Sequence, residues 1–253
     1  QEQWIEKNKI KKTNKMTSDI KLELYETNIE PFIRYMHIKE LDACGWIKIN
    51  NYERIIGETN CDIEIEVDYD DIMKYESNKI NKYIIASFDI ECMSESGNFP
   101  QATNIEDPII QIGTVFSYYG ETEAFYKHII TLKSCEKVEG MDDINIESYE
   151  LEEDVLLAWT RLIQRINPDI IAGYNINGFD FEYMYNRIIK LEEVTKKILK
   201  TKFMKFSRNI KEQSRLEERG LSSAGLGSNL LKYITMNGRI IIDLMKVMQR
   251  DYK

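Results

Sequence analysis

Residues 83–92 carry the most informative hydrophobic pattern in the chain. Apolar, β-branched and aromatic side chains dominate as far as Phe88, and carboxylates then follow at Asp89 and Glu91. Continuous hydrophobic runs of this length are typical of strands buried on both faces, so we predict such a strand here. Because side chains alternate along a strand, Asp89 and Glu91 share one face, about 6.6 Å apart at roughly 3.3 Å per residue.

A helix and a second strand are predicted farther along the chain. Residues 151–166 place apolar side chains at helical spacing, with acidic residues at the start and arginines near the end, which indicates an amphipathic helix. Asn167 and Pro168 end that helix, and the apolar residues 169–174 predict a short buried strand. This strand leads directly into a polar turn.

Asp180 is the third carboxylate of interest. It ends the turn-rich residues 175–180, which lie between the predicted strand and a second helix predicted at about residues 181–190. Open α/β sheets bind ligands just beyond the ends of their strands, which favours a functional role for this residue. An aspartate at the start of a helix is also typical of a helix N-cap, so both interpretations stay open.

The paired carboxylates of the first strand indicate half of a metal site. Two anions crowded on one face of a buried strand repel each other and lose solvation, and a divalent cation between them removes that cost. Asp89 and Glu91 provide such a pair. A strand that has reached solvent and become polar gives the same local pattern and is the alternative interpretation.

The remaining pattern divides the chain near residue 80. Short mixed segments in residues 21–80 predict a β-rich amino-terminal domain, assigned to residues 1–80, and residues 81–253 are assigned to a second domain. Within the second domain, residues 108–118 and 122–132 predict a hairpin.

Further predictions concern the end of the chain. Residues 230–242 contain an Asn-Gly pair between two apolar runs and predict another hairpin. The glycine- and serine-rich residues 220–228 are interpreted as a connection, and residues 133–150 as polar and irregular. Asp243 precedes a helical segment and is interpreted as its N-cap rather than as a catalytic group.

Composition narrows the class of protein without indicating a function. The chain has 253 residues, 43% of them hydrophobic and 30% charged, which is typical of a soluble globular protein. No run approaches the ~18 apolar residues of a membrane span, and no signal peptide is evident, so we expect no contact with a membrane. The four cysteines lack paired metal-ligand spacing, and we expect reduced thiols in an intracellular protein.

One basic segment contrasts with the net charge of -9. It spans residues 196–211, contains no acid, and interleaves cations with Phe203 and Phe206. Such a segment can hold phosphates and stack a base, whereas a solvated helix end and loop is the alternative interpretation. The candidate nucleic-acid contacts in it are Lys202, Lys205 and Arg208.

Two motifs and their order along the chain carry a family resemblance. The motifs are Phe88-Asp89-Ile90-Glu91-Cys92 and Gly173-Tyr174-Asn175-Ile176-Asn177-Gly178-Phe179-Asp180. They resemble the first and second exonuclease motifs of the B-family DNA polymerases. Residues 25–36 and 45–47 are similar to the amino-terminal region of eukaryotic polymerase delta and its relatives in large DNA viruses, and the segments 107–112, 153–159 and 238–243 follow in the family's order. The resemblance covers roughly residue 25 to the end.

The resemblance implies a fold and a reaction. The fold is α/β, a ribonuclease H-like 3'-5' exonuclease domain with a mixed β-sheet flanked by helices, preceded by the smaller β-rich domain. The reaction is two-metal hydrolysis of 3'-terminal nucleotides during DNA replication, with Mg²⁺ as the expected ion and Mn²⁺ as an alternative. By this resemblance, Asp89 bridges both ions, Glu91 helps to hold the ion that activates water, and Asp180 holds the other.

The resemblance also implies partners. Asn175 and Phe179 are expected to contact the single-stranded 3' end of a primer-template, the amide by hydrogen bonding and the ring by stacking. The remainder of a polymerase chain is an expected partner and a sliding clamp is a possible one. The expected location is the host nucleus, or a cytoplasmic viral factory for a viral protein.

One sequence motif of the resembled family has no match in this chain. The family has a third motif, Tyr-x-x-x-Asp, which supplies a further metal-binding carboxylate, and no residue up to Lys253 matches it. We therefore expect an amino-terminal portion of a longer enzyme with an incomplete exonuclease domain. The alternatives are an inactive nucleic-acid-binding or scaffold module with the same fold, and an RNA-degrading exonuclease.

Overall fold

We describe the fold from a computed structural model of the chain, which describes residues 25, 27–136, 139–140, 142–223 and 227–252. These residues form two compact units. The first contains the described residues up to Asn50 together with Tyr69–Ser77, and the second contains Asn51–Asp68 together with the described residues from Asn78 onward. The predicted domain boundary at residue 80 stays a prediction. No helix within those residues has the length and apolar character needed to cross a bilayer.

The secondary structure of the described residues has these bounds. The helices are α1 (Pro31–Ile38), α2 (Glu152–Ile166), α3 (Asp180–Thr195), α4 (Lys200–Phe203) and α5 (Leu244–Asp251). The strands are β1 (Trp46–Ile49), β2 (Glu53–Arg54), β3 (Ile65–Glu66), β4 (Ile72–Tyr75), β5 (Ile84–Cys92), β6 (Ile109–Tyr118), β7 (Ala124–Leu132), β8 (Ile144–Tyr149), β9 (Ile170–Gly173), β10 (Leu216–Ser223), β11 (Gly227–Ile234) and β12 (Ile240–Asp243).

The first unit combines helix α1 with the antiparallel pair β1 and β4. Helix α1 begins at Pro31, where the missing backbone N–H of proline costs no helical hydrogen bond. The hydroxyl of Tyr35 in this helix donates to the backbone carbonyl of Tyr69 at 3.0 Å. Lys39 and Asp70 form an ion pair at 2.6 Å, but such surface pairs stabilise a fold by only about 0–1 kcal/mol.

The second unit is organised around a mixed sheet. Its strand order in the described residues is β12-β9-β5-β6-β7-β8. Strands β12, β9 and β5 run parallel, β6 is antiparallel to both β5 and β7, and β8 is parallel to β7. Helix α2 contacts β6, β7 and β8, and helix α3 contacts α2. This arrangement confirms the predicted mixed sheet flanked by helices and the predicted hairpin of β6 and β7.

Strand β5 is buried on one face, not on both as its hydrophobic run predicts. Ala86, Phe88 and Ile90 are buried, whereas Asp89 and Glu91 lie together on the exposed face. The reason is that the helices cover only the Phe88 face along this part of the strand. The rings of Trp159 in α2 and Phe181 in α3 lie 4.8 Å and 5.4 Å from the Phe88 ring, between ring centroids. Burying Phe88 stabilises the fold by about 1.5–3 kcal/mol.

The turns at the ends of α2 and β9 follow from the local sequence. Asn167 ends α2 in a left-handed conformation, with φ of 54°, which asparagine tolerates well. Asp169 then accepts a hydrogen bond from the backbone N–H of Ile84 at 2.8 Å, which joins the amino ends of β9 and β5. Strand β9 thus lies in parallel register between β5 and β12.

Two predictions for the end of the chain are wrong. Residues 220–223 and 227–228, predicted to belong to a connection, lie in strands β10 and β11, which pair antiparallel with Leu216 opposite Ile234, and residues 224–226 lie outside the described residues. Residues 230–242 form no hairpin, because β12 pairs with β9 instead of with β11. Gly238, with φ of 84°, does make a turn, but the turn carries the chain from one sheet to another.

Strand β8 lies in residues 133–150, which the sequence pattern predicts to be irregular.

Candidate active site

The carboxyl ends of the three parallel strands β5, β9 and β12 meet at one edge of the sheet. Ser87 pairs with Ala172, and Asp243 pairs with Gly173, so β9 and β12 end at the same level while β5 continues past them to Cys92. Open α/β sheets bind ligands at such an edge. A Cβ atom at Gly173 would overlap the side chain of Ile176 and lie 2.8 Å from the carbonyl oxygen of Phe88. Glycine therefore permits the close packing of this edge.

Asp89 and Glu91 extend beyond the last pairing of β5 with β9. Both side chains are exposed, on the face of the strand opposite Phe88. Gly113 of β6 lies opposite Asp89, and a Cβ at Gly113 would meet nothing within 4 Å, so the strand leaves open space beside this carboxylate. Although the Asp89 side chain is exposed, the surrounding protein removes part of the water around its carboxylate, which raises its pKa above the ordinary value.

Asp180 reaches the strand of Asp89 from the start of α3. It is 2% exposed, and its Oδ1 accepts a hydrogen bond from the backbone N–H of Ile90 at 3.3 Å. Burial raises the pKa of Asp180 to about 7, and the negative charge of Asp89 adds to this rise. Asp180 is the first residue of the helix and not its N-cap, so the N-cap interpretation is wrong.

The turn between β9 and α3 positions Asn175 and Phe179. Asn175 has φ of 62°, and its carbonyl oxygen accepts hydrogen bonds from the backbone N–H groups of Gly178 at 2.9 Å and Phe179 at 3.0 Å. A Cβ at Gly178 would overlap Oδ1 of Asn175. The side chain of Asn175 therefore folds across Gly178, and only glycine leaves room for it there.

Asp243 is a buried carboxylate beside the same turn. It accepts hydrogen bonds from the backbone N–H groups of Asn175 at 2.9 Å and Asn177 at 3.1 Å. It also accepts from the backbone N–H of Met245 at 3.0 Å, which confirms its predicted role as the N-cap of α5. Its contacts with the turn are not predicted from the sequence, because they join residues more than sixty positions apart.

Phe99 is a second residue near the site that the sequence analysis does not identify. Its ring is 69% exposed and lies 5.3 Å from the ring of Phe179 in an edge arrangement. The two rings line a cavity of about 260 Å³ together with Glu182 and Asn186. The sequence signal for this pair is a phenylalanine within the otherwise polar loop that follows Glu91.

A buried ion pair fixes the loop that carries Phe99. Arg187 of α3 is fully buried, and its Nε donates to Oε1 of Glu152 at 2.8 Å. Its guanidinium also donates to the carbonyl oxygens of Ala102 and Ile105, each at 3.3 Å. These contacts tie the loop between β5 and β6 to both helices.

The side chains of the basic segment at residues 196–211 divide between the protein core and the solvent. Phe203 and Phe206 are fully buried in the core, where Phe206 lies 5.1 Å from Trp159, so the prediction that they stack a base is wrong. Lys202 and Lys205 are exposed. Arg208 donates from Nη2 to Oδ1 of Asp169 at 2.8 Å and is half-buried. A role for the three cations in binding nucleic acid stays a prediction.

The carboxylates have the chemistry of a divalent-cation site. Among the residues that the structure describes, no group of three or more His, Cys, Asp and Glu side chains has metal-binding geometry. Asp89 and Asp180 are nevertheless close enough that the charge of one raises the pKa of the other. A cation favours the ionised form of such crowded carboxylates, and their hard oxygen atoms suit Mg²⁺. The residues therefore fit a divalent metal, with Glu91 on the same exposed face as Asp89.

Comparison with known proteins gives a family match over most of the chain. The family model described as DNA polymerase family B, exonuclease domain, matches residues 22–253. The match includes β5, the turn after β9, and Asp243.

Several curated relatives are longer proteins. A DNA polymerase of Acanthamoeba polyphaga mimivirus is 38% identical over 190 residues, which cover 71% of this chain and 11% of that protein. A DNA polymerase delta catalytic subunit of Drosophila melanogaster is 32% identical over 241 residues, which cover 90% of this chain and 21% of that protein. The corresponding subunit of Glycine max is 34% identical, with the same two coverages. The chain thus spans about a tenth to a fifth of the length of these relatives.

Proposed function

Because the chain belongs to the exonuclease-domain family of the family B DNA polymerases, we propose that it is the proofreading portion of a DNA-directed DNA polymerase. Its reaction is removal of misincorporated nucleotides from a DNA 3' end by phosphodiester hydrolysis. The observation that carries the proposal is the contact between Asp180 and Ile90, which brings the second motif to the strand of Asp89 and Glu91.

The exonuclease domain of this family is metal-dependent, and we propose two Mg²⁺ ions, with Mn²⁺ as a substitute. Asp89, Glu91 and Asp180 would hold the ions. When bound, divalent ions in two-metal sites lower the pKa of a bound water and neutralise charge on the scissile phosphate. The chain's part is to keep all three carboxylates at one sheet edge, with Asp180 fixed by the backbone of β5.

The DNA 3' end has a matching surface beside these carboxylates. The exposed ring of Phe99 and the half-buried ring of Phe179 provide faces on which a terminal base can stack. The amide of Asn175 lies at the same turn and can hydrogen-bond to the strand. Stacking is open to every base, which suits an activity that must remove any of the four nucleotides.

The other proposed partners belong to the longer protein. They are a primer-template, the remainder of the polymerase chain and a sliding clamp. For these partners, and for a location in the nucleus or in a viral factory, the support is the names of the curated relatives. The two kinds of relative, viral and cellular, favour neither location.

The test is Mg²⁺-dependent release of a labelled 3' nucleotide from single-stranded DNA. We expect slow release by the wild-type chain, lowered ~10²-fold or more by Asp89→Ala or by Asp180→Ala, because each removes a proposed metal ligand that acts in the transition state. Asp143→Ala is the control, since Asp143 is exposed and pairs with Lys127 of β7, two strands away from β5 in the sheet. Binding of DNA without release would favour an inactive module, and faster release from RNA would favour an RNA-degrading exonuclease.

A further inference from the structure

We propose that Asp243 is a positioning residue that fixes the turn at residues 175–177, and with it the place of Asn175 at the site. The inference rests on the proposed function, because that function gives the turn its role. It adds a third segment to the site, from a strand that supplies neither exonuclease motif.

The geometry shows one carboxylate shared among three backbone groups. Oδ1 of Asp243 accepts from the N–H of Asn175 at 2.9 Å and from the N–H of Met245 at 3.0 Å, while Oδ2 accepts from the N–H of Asn177 at 3.1 Å. Asp243 is 5% exposed, so water does not substitute readily for these bonds. Capping of α5 needs only the bond to Met245, and the other two bonds act on the turn alone.

The turn needs this support because its own hydrogen bonds do not satisfy all of its backbone donors. Asn175 has positive φ, which asparagine tolerates well, so the requirement is an acceptor for the remaining N–H groups and not relief of strain. The turn's own bonds, from Gly178 and Phe179 to the carbonyl of Asn175, leave the N–H groups of Asn175 and Asn177 to Asp243. Removing their acceptor would leave two polar groups unsatisfied beside a packed edge.

The chain also links this turn to a third element through Asn177. Its carbonyl oxygen accepts from the backbone N–H of Lys232 in β11 at 3.0 Å. Asn177 therefore lies between β11 on one side and Asp243 on the other. If the two bonds to Asp243 are lost, the turn keeps its bonds to α3 and to the hairpin, but the N–H groups of Asn175 and Asn177 lose the acceptor that ties them to β12. The backbone of Asn175 is then held less firmly relative to Asp180.

The experiment separates capping from positioning by replacing Asp243 with serine. Serine is as good a helix N-cap as aspartate, but its single oxygen on a shorter side chain does not also reach the turn. In Asp243→Ser we expect hydrogen exchange of the Asn175 and Asn177 amides to accelerate about tenfold, as loss of a typical hydrogen bond predicts, while the Met245 amide keeps its protection. Binding of a 5'-fluorescein-labelled oligothymidylate, measured without divalent cation, should weaken by a similar factor.

Two further variants make the result decisive. Asp243→Asn keeps the size of the side chain and one acceptor, and it is used if the serine variant does not fold; it should accelerate exchange at one of the two turn amides. Thr114→Val is the control, because it removes a buried hydrogen bond to Nε1 of Trp159 on the helix-covered face of the sheet, away from the turn. It should leave the oligothymidylate affinity and the Asn175 and Asn177 amides unchanged.

The outcomes distinguish this inference from the proposed function. Unchanged exchange at Asn175 and Asn177 in Asp243→Ser overturns the inference, as does wild-type affinity for the oligothymidylate. Equal loss of affinity in Thr114→Val also overturns it, since the effect would then be general destabilisation. A wild-type chain that binds no oligothymidylate counts instead against the proposed function, and the exchange data still decide whether Asp243 holds the turn.

Discussion

Oδ1 of Asp180 accepts a hydrogen bond from the backbone N–H of Ile90, the residue between Asp89 and Glu91. This N–H lies beyond Ser87, the last β5 residue that pairs with β9. A side chain from the next helix thus takes the place that a strand carbonyl would otherwise occupy. The contact joins two motifs that are far apart in sequence and fixes Asp180 without using a charged partner.

The raised pKa of Asp180 gives a pH dependence of stability. Its pKa is about 7 in the folded chain, against an ordinary value of 3.8, so the folded protein holds a proton that the unfolded chain releases. The stability contributed by this group is full below pH ~4 and is lost as the pH rises to ~7, by about 1.4 kcal/mol per pH unit. Urea unfolding with a chelator present should therefore show Asp180→Asn gaining stability over wild type between pH 5 and pH 8.

Addition of Mg²⁺ provides the companion measurement. A cation that binds only the folded chain stabilises it, and it should raise the midpoint of unfolding at pH 8 in wild type but not in Asp180→Asn. Identical pH dependence in the two proteins would show that Asp180 does not titrate as its burial indicates.

Phe99 should contribute to binding of the DNA 3' end. Stacking of a base on an aromatic ring stabilises a complex by about 1–3 kcal/mol, so Phe99→Ala is expected to weaken binding of single-stranded DNA roughly tenfold or more. Fluorescence anisotropy measures the affinity. Phe125→Ala is the matched control, because Phe125 is also an exposed aromatic residue but lies on β7, where it stacks on Tyr118. Equal losses in both variants would contradict a specific role for Phe99.

The pair of Arg187 and Glu152 should be important for stability. Arg187→Met leaves the carboxylate of Glu152 buried without its cation, which typically costs about 3–5 kcal/mol. Urea unfolding at constant pH measures the loss. The double variant with Glu152→Gln removes the unpaired charge and keeps an acceptor for the backbone N–H of Ile109, so it should be more stable than Arg187→Met alone. A double variant that is no more stable would refute the electrostatic explanation.

The exposed lysines of the basic segment allow a separate test. If Lys202 and Lys205 contact phosphates, changing both to glutamate should weaken binding of single-stranded DNA and reduce the salt dependence of log K by about two. The same changes at Lys48 and Lys133, which are also exposed, provide the control. An unchanged salt slope at the basic segment would identify it as a solvated surface.

Local patterns in the sequence are sufficient to predict most of the central elements. Strand β5, helix α2 and the hairpin of β6 and β7 are recognisable because each satisfies its own periodicity. The shared face of Asp89 and Glu91 follows from strand geometry alone. What these patterns lack is information on which face the helices cover, and so the strand is predicted to be buried on both sides.

Predictions that depend on distant pairing are less successful. The Asn-Gly pair at Asn237 indicates a turn, but it does not identify the strand that pairs with β12. That strand is β9, which lies about seventy residues earlier in the sequence. The position of Phe206 within a basic segment predicts an exposed ring, yet packing against Trp159 buries it. The two sets of hydrogen bonds that Asp243 accepts are not both predictable for the same reason. Its position before a helix predicts the cap, but the turn at Asn175 and Asn177 lies far upstream in the sequence.

The parallel placement of β9 between β5 and β12 has a consequence for the order of folding. Both neighbours of β9 are distant in sequence, and β12 comes near the end of the chain. Non-local pairing of this kind forms slowly, because closing a long loop costs conformational entropy before the contacts that stabilise the pairing have formed. On the ribosome, Asp89 and Asp180 emerge well before Asp243. The turn that carries Asn175 therefore acquires its hydrogen bonds to Asp243 only after more than sixty further residues have been synthesised.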